Sequence, residues 1–214
     1  MDKLIIYQVL PRLFGNRTDK LVFNGTLEEN GTGKFSDFTP KALREIANLG
    51  CNAIWYTGII EHATKCDFSK FGIKKDNPYV IKGNAGSPYA IKDYYDVNPY
   101  LADDIPNRMA EFEDLVQRTH NAGLKVIIDF VPNHVARQYF SDAKPANVSD
   151  FGEKDRTDVA FSPQNNFYYI PYQVFAGKFP LGENDDIYKE YPAKATGNDC
   201  FTAEPSVTDW YETV

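Results

Sequence analysis

Val126-Ile127-Ile128-Asp129-Phe130-Val131-Pro132-Asn133-His134 is an apolar run of strand length with one carboxylate inside it, broken by a proline and followed at once by an amide and an imidazole. A continuous Val/Ile run reads as a strand buried on both faces, as in a parallel sheet. A charge within such a run is costly unless it is paired or hydrogen-bonded. Asp129 is therefore expected to hold a partner or a ligand, with Asn133 and His134 standing at the end of the strand.

Outward from this stretch the chain alternates. Residues 4–10 read as a buried strand closed by Pro11, and residues 52–59 as a second. Between them, residues 12–38 form a long loop by composition, with Gly15, Gly25, Gly31 and Gly33. A helix follows, capped by Thr39, with Pro40 at its first position, an apolar stripe of Leu43, Ile46 and Ala47, and Gly50 as its stop. Residues 60–106 read as a second irregular segment, with a tyrosine-rich piece at 87–97. The next helix carries Met109, Phe112, Leu115, Val116 and Thr119 on one side and stops at Gly123. Everything after Pro132 reads as irregular or weakly β, residues 167–175 being its best strand. Strand, helix, strand, helix, strand is an α/β arrangement with a parallel sheet. The helix-to-strand joins are short and the loops leaving the strands are long, which loads function onto the carboxyl end of the sheet, where such folds bind ligands.

Composition bounds the partners. The chain has 23 basic and 30 acidic residues in 214, a net charge of −7 with no basic run, which argues against nucleic acid and anionic membranes. Its 14 Tyr and 15 Phe suit a neutral, polyhydroxylated ligand, which an aromatic face can cover while a phenol tip hydrogen-bonds. Cys51, Cys66 and Cys200 form no metal or disulfide pattern. No stretch reaches transmembrane length, and no leader is recognised. A cytoplasmic location is expected, or a periplasmic or secreted one if a leader has been removed.

Asp129-Phe130-Val131-Pro132-Asn133-His134 resembles the first conserved region of the α-amylase superfamily of retaining glycoside hydrolases. Tyr7 to Phe14 is similar to that family's first strand, Leu49 to Trp55 to the entry of its second, and Ser87 to Val97 to the segment before its second helix. The resemblance implies a (β/α)₈ TIM barrel, incomplete here at its first three strands. Residues 1–131 would be the amino-terminal part of the barrel, and residues 132–214 an irregular, β-rich small domain inserted after strand three. It implies that Tyr89 stacks on the sugar at the cleavage point, that His134 hydrogen-bonds its hydroxyls, and that Asp129 is a supporting carboxylate. Asn133 would offer its side-chain oxygen to a structural calcium, with Asp142, Asp150, Glu153, Asp155 and Asp158 as further candidate ligands.

Retaining hydrolysis needs two carboxyl groups flanking the scissile bond. In the family these follow later strands, so no catalytic residue is expected in this chain, which by itself would be an inactive fragment. The expected activity of the parent is hydrolysis of α-glucosidic bonds in starch-like oligosaccharides, an α-glucan or maltooligosaccharide being the partner. The alternatives are a transglycosylase or isomerase on the same scaffold, and a non-catalytic carbohydrate-binding subunit. A metal-dependent hydrolase built on Asp129 and His134 lacks a second nearby histidine. Among the remaining residues, His62 and His120 read as ordinary, Tyr94 and Tyr95 as packing, and Glu61 as a surface ion-pair partner. Trp210 reads either as a cleft-shaping ring or as a buried anchor.

Overall fold

The computed structural model describes residues 3–183 and 187–214. In chain order its strands are β1 (Ile6–Val9), β2 (Ala53–Tyr56), β3 (Ile60–His62), β4 (Ile91–Val97), β5 (Lys125–Ile128), β6 (Tyr169–Ile170) and β7 (Ala193–Lys194). The α-helices are α1 (Leu27–Asn30), α2 (Pro40–Asn48) and α3 (Arg108–Asn121). Among the described residues no helix is long and apolar enough to cross a membrane.

β1, β2 and β5 form a parallel sheet in the order β1-β2-β5, with Tyr7 opposite Ile54 and Ile54 opposite Val126. α2 starts where Thr39 caps it, the hydroxyl accepting the Ala42 N–H at 3.2 Å, and Pro40 pre-sets the first turn. Leu43 and Ile46 of α2 and Leu115 of α3 pack with Phe35, Phe38, Ile54, Tyr56 and Leu101 in the main core. The Tyr56 hydroxyl meets Thr119 Oγ1 at 2.6 Å, fastening β2 to α3. Side chains alternate across a strand. Ile54 and Tyr56 therefore face the helices, while Gln8, Trp55 and Ile127, which lie level in the register, share the opposite face with Asp129.

The expectation of strands buried on both faces holds for the central β2, where Ala53 and Ile54 are both fully buried, and not for β1 and β5. Both helices cover one face, and β1 and β5 are the edges of the sheet, so Ile6 is 42% and Ile128 40% exposed. No closed barrel is present among the described residues. Of residues 167–175, only Tyr169–Ile170 pair as a strand, with β7.

Residues 60–106 are not simply irregular. β3 and β4 form an antiparallel pair in which Glu61 stands opposite Asp93, with register shifts on either side. Glu61 is not a surface partner, since it is 2% exposed. Its Oε1 lies 3.6 Å from the Lys92 ammonium, which lies 3.5 Å from Asp76 and also donates to the Lys74 carbonyl. Burial, with Asp96, Asp93 and Asp76 adding to it against Lys92, pushes the Glu61 carboxyl up to about 8. Arg108 at the start of α3 clasps Asp96 through Nε and Nη2. His62 is a structural residue. Its Nδ1 faces the Asn98 amide at 2.7 Å and its Nε2 the Ala85 carbonyl at 3.2 Å, and burial lowers its pKa to about 4.

Beyond Pro132 the chain packs around Arg137, which is 1% exposed. Its guanidinium lies over the Phe175 ring at 4.4 Å, pairs with Glu190 at 2.7 Å and donates to the carbonyls of Tyr211 and Lys194. Glu190 in turn accepts from the Tyr188 hydroxyl and the Lys194 N–H. Removing one member of a buried pair strands the other charge, at about 3–5 kcal/mol. Arg137→Leu should lower the Tm by roughly 6–20 °C, and Arg137→Leu/Glu190→Leu should recover part of that loss in thermal denaturation.

Candidate functional site

Asp129 follows β5 directly and reaches across the sheet to the end of β2. Its Oδ1 accepts the Trp55 indole N–H at 2.6 Å and its Oδ2 the Gly58 amide at 3.1 Å. Each oxygen thus holds a donor from β2 or the loop after it, and the carboxylate orients that loop. Gly58 has φ +78°, and a Cβ there would lie 3.0 Å from Pro88. The loop carrying Tyr89 is therefore seated against the element that Asp129 holds. Tyr89 is 44% exposed, its N–H donating to Ser87 Oγ at 3.3 Å.

His134 lies where the chain turns away from the sheet. Burial lowers its pKa, against the opposing pull of the Glu212 carboxylate and the Tyr89 main chain, which favours the neutral ring. It is wedged between two later elements. The Trp210 ring lies 5.4 Å away, centroid to centroid, and a Cβ on Gly197 would come within 2.9 Å of His134 Cβ. Main-chain bonds fix this. Val135 and Val214 exchange N–H to carbonyl bonds at 2.9 Å in both directions, and the Arg137 N–H donates to the Glu212 carbonyl at 2.8 Å. Residues 210–214 thereby form a strap laid along residues 135–137. Trp210, 44% exposed, takes neither role wholly. It is a ring packed on His134 with one side open.

Beside the strap opens a cleft of about 740 Å³. Asn133, His134, Tyr94, Phe130, Tyr168 and Phe201 are among its lining residues. Tyr94, read as a packing residue, also donates its hydroxyl to the Val131 carbonyl and so braces the chain between Asp129 and Asn133. Phe161 stacks on Tyr168 at 5.6 Å, and Phe201 meets Tyr168 edge-on at 6.5 Å. Asn133 and His134 thus stand on the cleft wall, Asp129 anchors the strand end behind them, and Tyr89 sits beside His134 through its main chain. Asn133 is exposed. Among the described residues, three carboxylate, thiol or imidazole groups gather at metal-binding distance only at Glu61, Asp93 and Asp96. Sequence reasoning missed Gly197, Tyr168 and Phe201 on the cleft wall and Glu212 near His134, because distant segments supply them. Trp210 alone carried a signal, as an isolated tryptophan in a polar stretch.

The family model described as the catalytic domain of alpha amylase matches residues 8–185. An alpha-glucosidase of Apis mellifera is 30% identical over 179 residues, covering 83% of this chain and 23% of that protein. A cyclomaltodextrin glucanotransferase of a Bacillus species is 26% identical, covering 77% and 22%. The amino acid transporter heavy chain SLC3A1 of Mus musculus is 28% identical, covering 63% and 14%. Among solved structures, an alpha-amylase from Lactobacillus plantarum aligns at 29% identity with a TM-score of 0.44, covering 63% of this chain and 24% of that one. The chain spans less than a quarter of the length of these relatives.

Asp129→Ala would leave the Trp55 and Gly58 donors without an acceptor, at about 2–4 kcal/mol, and Asp129→Asn about half that. Urea unfolding followed by tryptophan fluorescence should show the midpoint falling in that order.

Proposed function

The chain belongs to the α-amylase family, and from that premise we propose that it supplies the substrate-positioning part of a catalytic barrel acting on α-glucosidic bonds of starch-like oligosaccharides. On this reading β1, β2 and β5 are the first three strands of a (β/α)₈ barrel, and residues 132–214 are the small domain that grows from the third. The nucleophile and the general acid of a retaining mechanism come from a longer polypeptide that contains these residues.

One observation carries the reading. At the carboxyl end of the parallel strands, His134 packs against Trp210 on the wall of an aromatic cleft, and burial favours its neutral form. A neutral imidazole can hydrogen-bond a sugar hydroxyl as donor or acceptor without the desolvation cost of a charge. Aromatic walls take the apolar faces of the sugar rings. Tyr89 stacks on the sugar at the cleavage point, and Asp129 acts through Trp55 and Gly58 by fixing the two loops between which that sugar lies. Calcium would be held at Asn133 only with ligands from other segments, and no step of the proposal passes through it. Relatives named as an alpha-glucosidase and as a glucanotransferase support glycosidic-bond chemistry and leave water and a second sugar as competing acceptors.

A second reading is favoured by the transporter heavy chain among the relatives, a protein named for transport. It holds that the scaffold is retained for assembly or binding without turnover.

Release of reducing sugar from maltooligosaccharides, by this chain and by any longer product of its reading frame, separates the two. Turnover by the longer product alone is expected. In that product His134→Ala should lower kcat/KM roughly 10- to 100-fold, the loss of one hydrogen bond that strengthens in the transition state, with little change in Tm. An unchanged kcat/KM would remove His134 from the site. Turnover by the 214-residue chain itself would place the catalytic carboxylates within it.

A further inference from the structure

We infer that Glu61, Asp93 and Asp96 form a buried binding site for a calcium-sized cation, beneath the β3–β4 pair and separate from Asn133. Each of the three offers a carboxylate oxygen, and those oxygens lie within 4.8 Å of one another. The residues are 2%, 0% and 4% exposed. Ligands on opposite sides of one ion are separated by twice the bond length. That is about 4.6–5.2 Å for calcium and about 4.0–4.2 Å for magnesium. Oxygens within 4.8 Å of one another can share one ion of either size, and a buried set of protein carboxylates suits calcium, because magnesium keeps several of its waters.

Two further observations point to a ligand. Glu61 Oε2 is buried and has no hydrogen-bond partner, on a side chain that stands directly opposite Asp93 in the antiparallel register. Like charges in that position repel, and an unpaired buried carboxylate oxygen is costly. The charge balance is also incomplete. With all four carboxylates ionised, Glu61, Asp76, Asp93 and Asp96 would exceed Lys92 and Arg108 by two negative charges, the charge of one divalent ion; without that ion a proton on Glu61, whose carboxyl burial pushes up to about 8, offsets part of the excess. The all-carboxylate donor set selects a hard cation over zinc or copper. The ion would lock β3 to β4 and so set the base on which the Tyr89 loop and the chain after Asn133 rest.

The test is calcium binding to the chelator-stripped full chain, read by isothermal titration calorimetry and thermal denaturation. One Ca²⁺ per chain is expected, with a Tm rise of roughly 5–10 °C at a hundredfold excess over Kd. Glu61→Gln should weaken binding at least about tenfold, Asp93→Asn should do likewise, and Asn133→Ala should leave it unchanged. Circular dichroism checks that each variant is folded. The Asn133→Ala comparison changes only an exposed side chain and separates this site from one at Asn133; if both acidic variants fail to fold, the wild-type titration still stands as the test. No heat and no Tm shift in the wild type would overturn the inference, a proton shared between the carboxyl groups then holding the pair together. Binding retained by Glu61→Gln, or lost in Asn133→Ala, would overturn it as well.

Discussion

Glu61 and Asp93 face each other across an antiparallel pair with almost no contact with solvent, and much of the remaining structure is built around making that tolerable. Lys92, the next residue along β4, is drawn inward to Glu61 and Asp76, and Arg108 is drawn to Asp96 at the point where α3 begins. Asp93 spends its oxygens on two main-chain N–H groups, those of Tyr95 and Ala143. A strand with three charged residues in seven is thereby sunk almost completely into the protein. Removing any one partner would leave a buried charge uncompensated, a far larger cost than the loss of a surface ion pair.

β4 is also the seam between the parallel sheet and the chain after Pro132. Along with its pairing to β3, its main chain accepts the Ala136 N–H at Ile91 and the Phe140 N–H at Lys92. Tyr94 from the same strand holds the Val131 carbonyl. The position of His134 thus follows from β4 on one side and from the strap at residues 210–214 on the other. Asp129 supplies the third constraint through Trp55 and Gly58. None of these contacts is local in sequence, and together they turn a set of loops into a cleft with a defined wall.

The parts of the fold that were legible in the sequence are those whose stability comes from apolar periodicity and local capping. Thr39, Pro40 and the Leu43/Ile46 stripe announce α2, and the aliphatic runs announce β1, β2 and β5. β3 and β4 were illegible for a physical reason. Ile91–Val97 carries Lys92, Asp93 and Asp96, and a polar composition reads as loop unless one knows that each charge finds a buried partner. Glu61 was misread on the same ground, since a lone carboxylate after a strand gives no sign of a lysine thirty-one residues later turning inward to meet it. The expectation of doubly covered strands erred in the opposite sense at the edges β1 and β5, because a Val/Ile run shows that a strand can be buried on both faces, not that something covers the second one.

By itself the sequence determined the α/β order of elements, the face on which long loops gather and the spacing of Asp129, Asn133 and His134 at one strand end. Those features follow from side-chain period, capping and the cost of a charge in an apolar run, all set by near neighbours. Only the tertiary structure decided that Asp129 is bound on both oxygens, that His134 meets Trp210, and that Glu61 faces Asp93 beside Lys92 in the interior. Each is a meeting of residues roughly thirty to eighty positions apart. Whether a polar group is exposed or buried and paired depends on the fold that brings its partner, which no local pattern records.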